Sequence, residues 1–208
     1  MWTEERVRAF WENNKAVFAG DTTATEIIRL SRKHIKGRVL DIGAGSGALI
    51  DRLSNAVGVD LVPRHSRIMV GSIAALPFEN AEFETIFATD VLEHLSNQIL
   101  GVGLAETSRV LKQGGKLIVV VPYKEDFDQS MVLCPGCGET FHRWGHTQTF
   151  DAQTLVTELN KCQLRVINIA VLPLGLMAEH RIIRYFYPLF VRVGFIKVHD
   201  LFVVAEKE

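Results

Sequence analysis

Apolar positions in this chain alternate between helical and strand-like spacing. Val7, Phe10, Trp11, Val17 and Phe18 recur at helical intervals and predict an amphipathic helix over 3–19. Gly20-Asp21-Thr22-Thr23 is expected to stop it, and Thr23 or Thr25 to cap a second helix over 26–34. A short apolar run, 38–42, reads as a strand, with a helix over 47–54 and a second strand over 56–60 after it. Only 61–66, with Pro63 inside, separate that strand from the next at 67–70, which leaves little room for a crossover helix. Strands follow at 84–88 and 116–121. Between them lies a helix capped by Ser96 or Asn97 and running to about Lys112, with Gly114-Gly115 as its C-terminal stop. Gly101 and Gly103 inside it cost about 1 kcal/mol each relative to alanine and point to close packing or a partial break. A helix over 152–160, a strand over 164–172, a helix over 175–193 kinked at Pro188, and a last strand over 199–205 complete the pattern. Strands alternating with helices predict an α/β fold with a parallel sheet.

Composition narrows the class. The 208 residues suit one α/β domain and are short for two. The balance of 48% hydrophobic and 23% charged residues is ordinary for a globular chain, and a net charge of −1 argues against a nucleic-acid partner. The first fifteen residues are charged and amphipathic rather than signal-like, and no apolar run reaches transmembrane length, so a cytoplasmic location is expected. Three cysteines, two of them spaced C-x-x-C, fit a reducing compartment.

Candidate chemistry begins at Val39-Leu40-Asp41-Ile42-Gly43-Ala44-Gly45-Ser46-Gly47, a strand running into a glycine turn and a helix. Glycines let the backbone turn sharply and let a ligand approach. Asp60, ending the next strand, is placed to accept both hydroxyls of a ribose.

VLDIGAGSG, GVD, and the LPF and LEHL segments together resemble the class I S-adenosylmethionine-dependent methyltransferases of the small-molecule type, over residues 36–122. The resemblance implies a Rossmann-like, seven-stranded, mostly parallel sheet with helices on both faces and the last strand antiparallel. It implies a methyltransferase domain at 37–208, with 1–36 either a helical lid over the cofactor or helices that simply pack on the sheet. It places S-adenosylmethionine across Gly43, Ala44, Gly45 and Gly47, with Asp41 anchoring the loop, Asp60 and Leu61 at the ribose, Ser72, Ile73 and Phe78 around the adenine, and Asp90 beside the cofactor tail. Ser72 stands where the family usually carries an acid that accepts from the adenine amino group. His94 is either a general base or a side chain that holds its loop through a backbone hydrogen bond. The turn Thr89-Asp90-Val91-Leu92 lacks the Asn/Asp-Pro-Pro-Tyr form of amide and base N-methyltransferases, which favours a small-molecule, lipid or glycan acceptor. A cofactor-binding regulatory module without turnover is the alternative, and the G-x-G-x-G spacing disfavours a nicotinamide dehydrogenase.

Residues 123–150 exceed this minimal fold. Cys134, Cys137, His142 and His146, spaced C-x2-C-x4-H-x3-H, are expected to hold a structural zinc ion, since two thiolates and two imidazoles complete a tetrahedron. The competing readings are a redox cysteine pair and histidines that face substrate. Tyr123, Asp126, Arg143 and Trp144 are candidate acceptor contacts. Helix 175–193 presents Ile182, Phe186, Leu189, Phe190 and Val193 on one face, for core packing, a homodimer contact, or a greasy acceptor or membrane surface.

Overall fold

The computed structural model describes residues 3–14, 19–180, 182–192 and 196–208. Seven strands form one sheet: β1 (Val39–Ile42), β2 (Ala56–Asp60), β3 (Ile68–Val70), β4 (Phe83–Thr89), β5 (Leu111–Pro122), β8 (Leu164–Leu172) and β9 (Asp200–Lys207). Their order is β3-β2-β1-β4-β5-β9-β8. Strands β1 to β5 pair in parallel, and β9 inserts antiparallel between β5 and β8. The expected fold is therefore present, with the reversed strand next to the edge. No crossover helix joins β2 to β3, as the short link required.

Period-two alternation divides the core between the two sheet faces. Leu117, Val119, Val121, Leu201 and Val203 point to the face covered by α3 (Asn97–Val110) and α4 (Ala152–Lys161), through Leu100, Leu104, Leu155 and Leu159. Ile118, Val120, Phe202 and Val204 point to the other, covered by α2 (Ala19–Ser31) and α5 (Leu174–Glu179), through Ala24, Ile27, Leu174 and Met177. Full burial of one such side chain is worth about 1.5–3 kcal/mol.

Several element boundaries differ from the sequence expectation, each for a tertiary reason. Helix α1 (Glu4–Asn13) is shorter than expected, and Val17 and Phe18 lie outside the described residues. Gly20–Thr23 do not stop a helix: they lie inside α2, where Asp21 occupies the favourable first turn, accepts from the Ser46 hydroxyl, and leaves Thr23 and Ala24 to face inward. After the glycine loop the expected helix shrinks to a single 3-10 turn, Ile50–Arg52. The chain must enter β2 at Ala56, and the Arg67 guanidinium ends the turn by donating to the carbonyls of Ile50, Leu53 and Ala56. Helix α3 ends at Val110, before the glycines; Gly114, at φ +71°, lies within β5 near a register shift rather than capping the helix. The expected 175–193 helix is two helices, α5 and α6 (Ile183–Arg192), with Pro188 inside the second. Ile182, Tyr185, Phe186 and Leu189 are exposed, so core packing of that face is not found; the Phe190 side chain and Val193 lie outside the described residues. Among the described residues no helix is long and apolar enough to cross a membrane.

Candidate functional site

The carboxyl ends of β1, β2, β4, β5 and the start of β9 surround a cavity of about 530 Å³, closed on one side by α1. Ligands of open α/β sheets sit at this place, where the strand order reverses between β1 and β4.

The first half of the cavity is the glycine loop. Gly43, Gly45 and Gly47 have φ of +69°, +49° and +88°. A Cβ on Gly43 would lie 2.1 Å from Val91 Cγ2, so this position needs glycine for space as well as for its backbone angle. Asp60 holds the loop with one carboxylate oxygen and its own following turn with the other: Gly45 N–H donates to Oδ2 at 2.8 Å and Val62 N–H to Oδ1 at 2.7 Å. Asp41 is buried beneath, its carboxyl pushed well above the usual range by burial and then by Asp60. Asp41, Gly43, Ala44, Gly45, Asp60, Leu61, Ser72 and Ile73 all line the cavity. Gly47 does not; it turns beneath the His65 ring, which a Cβ there would meet at 2.8 Å. Phe78 is also absent from the lining, because its ring packs edge-on against Phe83 at 4.9 Å. Where the sequence offered only Ser72, α1 brings a carboxylate: the Ser72 hydroxyl donates to Glu4 Oε2 at 2.8 Å, and Glu4 lines the cavity. Arg64 fixes α1 there by donating to the carbonyls of Trp11 and Asn14, at 2.6 and 2.8 Å.

The second half is acidic and imidazole-rich. Asp90, at φ +56° just past β4, donates its N–H to Val120, and its carboxyl is raised to about 7 by burial and then by Asp200. Asp200 and Glu93 are raised as well, chiefly by burial. The Glu93 side chain is 1% exposed and its Oε2 has no hydrogen-bond partner among the described residues. His94 places Nδ1 3.2 Å from the Gly145 carbonyl, and burial, followed by His146, pushes its imidazole down to about 3. That contact ties the His94 ring to the backbone at Gly145, the kind of bond the loop-holding reading expects.

The 123–150 segment contains a hairpin, β6 (Met131–Leu133) with β7 (Thr140–His142), separate from the main sheet. Its return limb is fastened to the 92–95 turn: Thr147 and Gln148 N–H groups donate to the Glu93 carbonyl, and the Gln148 amide and Thr147 hydroxyl donate to Leu95. The expected four-ligand zinc set is not brought together. Cys134 and Cys137 stand at the hairpin tip, where N–H groups of Cys137 and Gly136 push the Cys134 thiol down. His142 and His146 lie at its base, stacked with ring centroids 4.4 Å apart and turned toward Glu125. Among the described residues, the groups with donor atoms within 4.8 Å of one another are Glu93/His94/His146 and Glu125/His142/His146, and neither includes a cysteine. Of the candidate acceptor contacts, Trp144 lines the cavity, whereas Tyr123, Asp126 and Arg143 do not. Asp126 instead caps the turn Phe127–Ser130.

Glu4, Glu125 and Asp200 line the cavity without a sequence motif to mark them, whereas Glu93, which lines it too, belongs to the LEHL segment. Each comes from a different element, so no spacing could have grouped them.

This chain is similar to known proteins on two levels. It is 32% identical over 111 residues to an uncharacterised protein of Methanocaldococcus jannaschii, covering 50% of this chain and 53% of that one. The chain spans about half the length of the curated relatives it matches. Its fold is shared with the 1,6-didemethyltoxoflavin-N1-methyltransferase of Burkholderia thailandensis, solved with 1,6-didemethyltoxoflavin and S-adenosylhomocysteine (TM-score 0.64, 18% identity, 98% of this chain and 83% of that one). A SAM-dependent methyltransferase of Methanosarcina mazei is similar at TM-score 0.63 and 17% identity, over 86% of this chain and 96% of that one. Residues 40–119, which hold the glycine loop, Asp60, Ser72 and the Asp90–His94 turn, match the family model described as a methyltransferase domain.

Proposed function

We propose that this chain is an S-adenosylmethionine-dependent methyltransferase acting on a small-molecule acceptor, with lipids and glycans in the same range. The observation that carries the reading is one cavity joining a glycine loop that excludes a Cβ, a backbone-held Asp60, and an acceptor-side wall of Glu93, His94, Trp144 and His146. When bound, S-adenosylmethionine supplies a methyl group on a sulfonium, transferred in line to an acceptor lone pair as the carbon–sulfur bond breaks with its electrons on sulfur.

The chain's own residues position the reactants. Asp60 keeps lone pairs for the ribose hydroxyls while Gly45 and Val62 hold the carboxylate still. Glu4 and Ser72 together replace the acid that resembling sequences carry at the adenine amino group. Helix α1 acts as the lid: Glu4, Val7 and Trp11 cover the cavity, and the Trp11 ring meets His94 edge-on at 5.3 Å. The buried Glu93 carboxyl and the half-buried Asp90 and Asp200 carboxyls favour a cationic ligand, since positive charge offsets the desolvation and repulsion that oppose their ionisation.

Titration calorimetry with S-adenosylhomocysteine tests the reading. One equivalent should bind, and Asp60→Ala should weaken it about 10- to 150-fold, the range for hydrogen bonds to a charged group. Absence of binding, or a preference for a nicotinamide dinucleotide, would overturn it.

A further inference from the structure

We propose that Glu93, His94 and His146 bind a divalent first-row metal ion on the acceptor side of the cavity, as a two-histidine, one-carboxylate site. One donor atom from each lies within 4.8 Å of the others, and all three residues line the cavity. The proposal deepens the methyltransferase reading by giving the acceptor pocket its own cation, but the site stands on its own geometry.

The hydrogen-bond network sets both rings for ligation. His94 Nδ1 lies 3.2 Å from the Gly145 carbonyl, which only accepts, so Nδ1 carries the proton and Nε2 keeps a lone pair. His146 Nδ1 lies 2.5 Å from Glu125 Oε2, which assigns its proton the same way. A carbonyl or carboxylate behind the far ring nitrogen is the usual support of a metal-bound histidine. Glu93 completes the set with a buried Oε2 that has no hydrogen-bond partner among the described residues, a costly state that a cation resolves.

The neighbouring group Glu125/His142/His146 fits less well. His142 Nδ1 accepts from the N–H groups of Trp144 and His146, at 3.4 and 3.3 Å, so its proton sits on Nε2, the atom facing Glu125 Oε1 at 3.2 Å. A protonated Nε2 has no lone pair to give a metal. His142 is also outside the cavity lining. It stacks on the His146 ring, with Nε2 close to Glu125 but making no hydrogen bond among the described residues.

Nitrogen and oxygen donors without sulfur suit Zn²⁺, Fe²⁺, Mn²⁺ or Co²⁺, and three protein ligands leave positions open toward the cavity. Those positions fit an acceptor with a hydroxyl or carboxyl oxygen, whose pKa a bound cation lowers.

The test is Co²⁺ titration of chelator-stripped full chain, read by visible d–d absorption and by Zn²⁺ competition. One Co²⁺ per chain is expected, without thiolate-to-cobalt charge-transfer absorption. Glu93→Gln and His94→Gln should weaken it by more than the about 10- to 100-fold expected for the supporting Glu125→Gln, and Cys134→Ser should leave it unchanged. Circular dichroism and melting confirm that each variant is folded, and the conservative Glu125→Gln serves if the others are not. No absorption, a thiolate band lost in Cys134→Ser, or binding unaffected by Glu93→Gln and His94→Gln in folded protein would overturn the site. S-adenosylhomocysteine binding to the same stripped protein separates the two ideas: retained without a Co²⁺ site, it removes only this inference; lost beside an intact Co²⁺ site, it removes the methyltransferase reading.

Discussion

Asp90→Asn should make the cofactor-free chain more stable at neutral and alkaline pH. Asp90 ionises at about 7 instead of the ordinary 3.8, because burial and then Asp200 oppose its charge. Below about pH 4 the folded and unfolded chains both hold this proton, so Asp90 contributes nothing. Between about pH 4 and 7 the folded chain keeps a proton that the unfolded chain has lost, so stability falls as pH rises. Above about pH 7 the penalty is complete, at most about 4 kcal/mol from 1.36 kcal/mol per pH unit. Asparagine tolerates the left-handed backbone that Asp90 adopts at φ +56° and does not ionise. It also frees Glu93 and Asp200 of a neighbouring charge, which works in the same direction. The measurement is urea unfolding of metal-free and cofactor-free protein at pH 4.5 and pH 8 (about half a unit above and one unit beyond the two limits). The variant should lead by about 1 kcal/mol at the lower pH and by up to about 4 kcal/mol at the upper one, the latter equivalent to roughly 8–16 °C in melting temperature. The variant should also bind S-adenosylhomocysteine less tightly, since a stabilised site has lost a charge that faces the ligand. Parallel stability curves for the two proteins would refute the reasoning.

The glycine loop and the α1 carboxylate give two further tests. Gly43→Ala forces a side chain into the left-handed region, about 1–2 kcal/mol, and into Val91; its urea midpoint should fall and S-adenosylhomocysteine binding should be lost, with Val91→Ala restoring part of the stability. A wild-type midpoint would contradict the close approach. If Glu4 accepts from the adenine amino group, the chain should prefer S-adenosylhomocysteine to its inosine analogue by about 10-fold, the lower end for a charged hydrogen bond. Glu4→Gln should narrow that preference in competition calorimetry, and an unchanged preference would assign Glu4 to holding α1 alone.

The helices and loops show where local signals stop. At Gly20–Thr23 the residue preferences indicate a stop, but the inward turn of Ala24 and Ile27 onto the sheet and the Asp21–Ser46 contact favour a helix. At Ile50–Arg52 the periodicity indicates a full helix, but Arg67, seventeen positions beyond Ile50, closes the turn early. Propensities are worth tenths of a kcal/mol per residue, and burial of one apolar side chain outweighs several of them.

Most strands of the main sheet, whose alternation assigns side chains to two faces, were legible from local pattern, as was the glycine loop with Asp60, because a sharp turn and an acid at a strand end are local requirements; the start of β5 and the β6–β7 hairpin were not. The α/β class and strand β2 to the residue were legible in this way. Tertiary structure decided the acceptor side. The C-x2-C-x4-H-x3-H spacing grouped four residues that the hairpin separates, cysteines at the tip and histidines at the base. Glu93, His94 and His146 meet only because Thr147 and Gln148 fasten the return limb to the 92–95 turn, and Glu4 and Asp200 arrive from opposite ends of the chain. Hydrogen bonds between distant backbone segments leave no periodicity in the sequence, so the parts of the site built on them became visible only in the folded chain.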